Sequence, residues 1–167
     1  MKETTCSMLI CYRKHGALRF ISHLDTERTW RRAVRRAGLP IAFSAGFSPR
    51  EKIEMGYPLP VGCSGEAENL ILELKQAVPE AEIRQQLHDV LPEGLEIVEV
   101  KPYRHDSSLF QRTRELIYQA GTQIFALPVE NGRSVKLWEY LSRELGRPEE
   151  EVKLLPVTRK DIGYHDE

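Results

Sequence analysis

The chain has 167 residues, of which 41% are hydrophobic and 29% charged, and its formal net charge is −1; this length suits one compact body, or a main domain with a small appendage, and excludes two large domains. The composition excludes a fibrous or disordered chain. No run reaches the roughly 18 apolar residues of a membrane span, and the opening MKETTCSMLICYRKHG lacks the apolar core of a secretory signal, so the expected location is the cytoplasm, with no membrane partner.

The segment SMLICYRK is apolar and β-branched enough for a first strand, HGA supplies a turn, and LRFI reads as a short extended piece. Ser22 with Asp25 three residues on forms a capping-box pattern that opens a helix over 23–37, stopped by Gly38 ahead of Pro40. At 100° per residue Trp30, Ala33, Val34 and Ala37 share one face, and Arg28, Arg31, Arg32, Arg35 and Arg36 cover the opposite one. Only Asp25 and Glu27 lie near those guanidinium groups in sequence. Their mutual repulsion calls for an anion, an acidic partner surface, or internal pairing with the second helix or the C-terminal region.

Residues 40–66 are rich in Gly, Pro and Ser, with brief strands expected at 41–43 and 52–55 around a SAGFSPR loop that can approach a phosphate or sugar. AENLILELKQ then reads as a strand, PEAEIRQQLHDVLP as an amphipathic helix and GLEIVEVKPY as a strand. The order β-α-β-β-α-β predicts an α+β, ferredoxin-like split βαβ core over 7–103: an antiparallel sheet with two helices on one face. Trp30, Val34, Ile83, Leu87, Leu70 or Ile71, Leu72 and Ile97 are its expected core. Residues 104–113 read as a polar connector and 114–167 as a C-terminal hairpin-helix-strand extension. That extension turns near Gly121, and its helix is capped by Ser134, buried through Leu137, Trp138, Leu141 and Leu145, and ended by Gly146. Its last strand is expected at the sheet edge, because Pro156 interrupts the donors.

Between Arg13 and Lys52 ten Lys/Arg face three acids, a local +7 that leaves −8 for the remainder of the chain. A basic segment on an otherwise acidic protein fits an anion-binding face. Its candidate residues are Arg19, Arg28, Arg31, Arg32, Arg35, Arg36, Phe47, Ser48, Arg50 and Lys52, with guanidiniums on RNA phosphates and Phe47 or Tyr57 available to stack on bases. His23 is the candidate catalytic group, a general base for RNA cleavage with the arginines stabilising the phosphorane-like transition state; the competing reading packs it against the core. His15 reads as exposed, and His105 with Asp106 and His165 with Asp166 lack metal-ligand spacing. Cys6, Cys11 and Cys63 form no CxxC group and suit reduced thiols, Cys63 being a buried filler or a reactive thiol. No metal and no cofactor are expected, and GYPLPVG carries no Walker-type pattern.

The run RFISHLD, WRRAVRRAGLP and GFSPREKIEMGYPLPVGCSGEAE resembles a bacterial family known as the radical-SAM-linked domain of unknown function, stand-alone or fused to radical S-adenosylmethionine enzymes. The resemblance covers residues 8–103. It departs from the family at Ser48, where GFNP is usual, and at Glu51, where a proline usually precedes Lys52. It implies association with radical chemistry; since the three-cysteine cluster motif is missing from this sequence, the implied role is that of an accessory protein. The expected function is therefore a noncatalytic RNA-binding or substrate-presenting module working with a separate radical SAM enzyme, in RNA modification. One alternative is a metal-independent endoribonuclease of the repeat-associated RNA-processing type using His23, an analogy at the level of fold. The third is a protein-docking module without nucleic acid.

Overall fold

Strand β1 (Cys6–Lys14) turns Met8, Ile10 and Tyr12 to one side, where all three are buried, as the two-residue period of a strand dictates. A computed structural model describes residues 5–165. After β1 the chain does not extend through LRFI. Gly16, at φ 61°, reverses it, and residues Gly16–Phe20 form a 3-10 helix in which the Ile21 N–H donates to Leu18 O at 3.2 Å. That local bond satisfies backbone that no strand ladder takes up.

Helix α1 (His23–Ala37) opens at the Ser22 cap its sequence predicts, with one half of the expected capping box. Ser22 Oγ accepts from the Asp25 N–H at 3.1 Å, while the Asp25 carboxylate takes the Ser22 hydroxyl at 2.9 Å in place of a backbone amide, and Gly38 ends the helix in the left-handed conformation, φ 70°. Trp30, fully buried, meets Tyr12 edge-on with ring centroids 4.8 Å apart. Of the two strands expected next, 41–43 shortens to isolated bridges, Ile41 with Leu74 and Phe43 with Glu51, and the other is β2 (Ile53–Met55). β3 (Ser64–Leu74), α2 (Glu80–His88) and β4 (Leu95–Pro102) complete the unit. The antiparallel order β4-β1-β3-β2 is that of a ferredoxin-like fold. Met8, Ile10, Tyr12, Leu70, Leu72, Leu74 and Val100 from the strands share a core with Trp30 and Val34 of α1 and Ile83 and Leu87 of α2; Ile97 packs against its margin. Both helices therefore cover the same face of the sheet.

The remainder is β5 (Thr113–Ala120), β6 (Gln123–Pro128), α4 (Leu137–Leu145) and β7 (Val157–Tyr164), with two short helices, α3 (Leu109–Arg112) and α5 (Glu149–Val152), that the sequence reading does not contain. α3 sits inside the expected connector and starts on its own capping box, Ser108 with Gln111. Gly146 ends α4 as expected, but its N-cap is Lys136 and Ser134 lies two positions before that cap. β7 is not an edge strand. It lies between β3 and β5, parallel to β3 at Ser64–Thr158 and antiparallel to β5. Pro156 precedes the strand, so its missing donor falls outside the ladder. β3 is long enough to hold β2 at one end and β7 at the other on the same edge, and this joins all the strands into one 7-stranded sheet. A second cluster, with Leu116, Tyr118, Leu127, Leu141, Val152 and Ile162, also draws in Leu59 and Cys63 from the first half. No helix among the described residues is long and apolar enough to cross a membrane.

Candidate nucleic-acid interface

The five arginines of α1 divide into two groups, and Glu51 makes the division. Its side chain is only 3% exposed. Arg31 Nη1 donates to the Glu51 carbonyl at 2.6 Å and lies 3.3 Å from its carboxylate, while Arg31 Nε and Nη2 hold Glu27 at 2.9 and 2.7 Å. Arg35 Nε donates to the other Glu51 oxygen. The Arg35 hydrogen bond is the largest of the influences that hold the Glu51 carboxyl down at about 2. The mutual repulsion expected on this face is thus relieved in part by an acid from the loop, neither from α2 nor from the C-terminal region.

Arg28, Arg32 and Arg36 stay outward. Arg28 makes an exposed pair with Asp25 at 3.1 Å, Arg32 touches Thr29 Oγ1 at 3.3 Å, and Arg36 makes no side-chain bond among the described residues. At i, i+4 and i+8 they form one row along the helix, each about 6 Å of rise from the next.

Glu51 also ends the 44–50 loop. The Ser44 N–H donates to Arg50 O at 2.9 Å and the Arg50 N–H to Ser44 Oγ at 3.0 Å, and the Phe43–Glu51 bridge closes the base. Gly46, at φ 119°, makes the bend. Phe47, Ser48 and Arg50 are exposed, Phe47 completely. Lys52 Nζ is held by Glu73 at 2.8 Å. Phe43, which sequence reasoning passed over as a strand residue, is 44% exposed with the Lys75 ammonium 5.5 Å from its ring centroid. Tyr57, considered above for stacking, is instead stacked on Phe110 at 5.2 Å and 4°, and its hydroxyl donates to Gly132 O. Arg19 lies over the Phe20 ring at 4.6 Å in a separate cleft with Lys153 and Leu154.

His23 is not brought to this surface. It shares the helix side of Trp30 and Val34, about 180° from the row of Arg28, Arg32 and Arg36. It borders a polar cavity of about 10 Å³ with Lys14, Thr26, Tyr57, Glu68 and Asn69, room for about one water. Burial lowers its pKa, which favours the neutral ring. Asp25 is turned away to Ser22 and Arg28, so the two form no dyad. Lys14, almost wholly buried, donates to Thr26 Oγ1 at 2.8 Å and to Ile21 O at 3.2 Å, and burial lowers its pKa too. His15 bonds Glu96 at 2.8 Å, and His105 lies 5.2 Å from the Tyr103 ring. Asp166 falls outside the described residues, among which no group of three His, Cys, Asp or Glu could hold a metal ion. Cys63 is fully buried and its thiol is pushed up to about 12 by desolvation, the state of a filler and not of a nucleophile.

Compared with known families, residues 8–153 match the model of one described as "Uncharacterized protein conserved in bacteria (DUF2344)". The match runs past the ferredoxin-like unit through β5, β6, α4 and α5, well beyond the 8–103 of the sequence resemblance. No curated protein matches the chain.

Proposed function

The chain belongs to this bacterial family, and on that footing we propose that it is an RNA-binding accessory module whose contact surface is the row of Arg28, Arg32 and Arg36 with the adjoining 44–50 loop. The observation that carries the reading is Glu51. Its buried carboxylate uses Arg31 and Arg35 to fasten the loop to α1, so the outward cations and the exposed Phe47 belong to one preorganised surface. Guanidiniums suit phosphate because their forked donors match two oxygens at once. The resemblance of residues 8–103 to domains linked to radical S-adenosylmethionine enzymes supports a role presenting RNA to such an enzyme. His23, on the opposite side of α1 beside a one-water cavity, gives the endoribonuclease reading no supporting geometry.

Fluorescence anisotropy with labelled RNA over a salt series tests this. Binding should weaken by roughly 0.7 to 0.9 log units per log unit of salt for each phosphate neutralised. Replacing Arg28, Arg32 and Arg36 together by Gln should flatten the slope by about two to three such units with little loss of stability. Arg35 is left out because it holds Glu51. Salt-insensitive binding, or a triple variant equal to the parent, would favour an acidic protein partner on this face.

A further inference from the structure

We infer that the RNA taken by this surface is single-stranded, with Phe43 and Phe47 each stacking an unpaired base while Arg28, Arg32 and Arg36 follow the phosphates; the inference rests on the RNA reading above. Phe47 is fully exposed at the bend of a loop closed by two hydrogen bonds between Ser44 and Arg50 and fastened through Glu51 to α1. A ring held away from the protein on a braced loop is available to a planar ligand. Phe43 stands at the base of the same loop, 44% exposed, with the Lys75 ammonium beside its ring. Phe43 thus has a cation over its ring, the pairing of π face and positive charge that single-strand binders use, and Phe47 shares its exposed loop with Arg50. The two phenylalanines are four residues apart, their Cα atoms at most about 14 Å from each other, and successive arginines of the row rise about 6 Å. Both intervals are on the scale of one or two nucleotide steps.

Paired RNA does not fit these features. In a duplex the base faces are stacked on one another, and the major groove is too deep and narrow for a phenyl ring to enter. The phosphates alone could still meet the arginines, so duplex should bind weakly and by charge only. Stacking is tolerant of sequence because every base has a π face. The expected ligand is therefore any unpaired stretch, not a defined motif.

The test uses the full chain with a labelled, unstructured RNA of roughly 12 nucleotides, a length within the range of single-strand site sizes, and with the same strand annealed to its complement. The single strand should bind at least about 10-fold tighter. Phe43→Ala and Phe47→Ala should each weaken single-strand binding about 5- to 150-fold, the range of one lost stack, while keeping the salt slope of the parent, since no charge is removed. Phe47→Trp should retain binding, which separates loss of a stack from damage to the loop. If duplex binds as tightly as single strand, or if both alanine variants bind the single strand like the parent, the inference is overturned even though the arginine-dependent salt slope keeps the RNA reading standing. If neither RNA form binds, both fall together.

Discussion

Glu51 is the residue on which the proposed surface turns, and its chemistry makes it sensitive to acid. A carboxylate ordinarily titrates at 4.5; here the Arg35 hydrogen bond, with further help from Arg31, holds it at about 2. A pKa depressed by folding means that the stabilisation is fully present above about pH 4.5 and is lost as pH falls from there through about 2. Below that window Arg31 and Arg35 lose their common anion, and the loop loses its fastening. Thermal unfolding of the parent should therefore show a midpoint that falls more steeply across this range than that of Glu51→Gln, whose amide has no proton to gain; the other paired carboxylates, Asp25 and Glu73 among them, contribute the fall that the two share. At neutral pH the same variant should bind RNA more weakly, by freeing the loop that carries Phe47. Parallel pH profiles for parent and variant would show that the ion pairs add nothing to the fold.

At the scale of elements, the bounds and the inward face of α1 were legible and the strand that closes the sheet was not. Each property of α1 is local. Ser22 and Asp25 mark its start, Gly38 marks its end, and the 3.6-residue period places Trp30 and Val34 inward. Ser22→Ala should cost about 1 kcal/mol, the usual worth of an N-cap, read as a lowered denaturation midpoint with unchanged slope; a cost near zero would mean that packing of Trp30 alone sets the helix start. The division of the arginines was not legible, because Glu51 reaches them across 16 and 20 residues of chain and no periodicity reports such a contact. β7 was misplaced for a related reason. A proline near a strand signals an edge only when its ring falls within the ladder, and Pro156 stops one residue short of Val157. Whether a strand lies at the edge or in the middle depends on partners elsewhere, here Ser64 and Gly65 of β3. Ser134 misled because a hydroxyl before an apolar run suits a cap, yet α4 begins later, after Lys136.

The whole molecule is held as one sheet by the pairing of β3 with β7, and the charge buried there is where its two halves depend on each other. Arg159, with no exposed surface, donates through Nε to Glu68 at 2.9 Å and through Nη1 and Nη2 to the carbonyls of Pro58 and Tyr57 at 3.0 and 2.6 Å. Glu68 accepts a second bond from Nη2, so the pair is bidentate and its remaining donors are used. This geometry is what a buried ion pair needs to offset desolvation. Removing one partner leaves the other charged and unpaired, so Arg159→Met should destabilise the chain by about 3–5 kcal/mol, with the Tyr57 and Pro58 carbonyls orphaned as well. The two tryptophans give the readout: Trp30 sits in the core of the first half, and Trp138 packs on the second cluster. In the parent, fluorescence of a Trp138→Phe background, which reports Trp30 alone, should unfold at the same denaturant concentration as far-ultraviolet circular dichroism, as one cooperative unit does. In Arg159→Met the circular dichroism should begin to fall first, as β5, β6 and β7 separate from β3, while Trp30 holds. A variant that loses less than about 1 kcal/mol, or in which both signals still move together at the parental midpoint, would mean that backbone pairing and the shared apolar residues Leu59 and Cys63 join the halves without help from the buried charges.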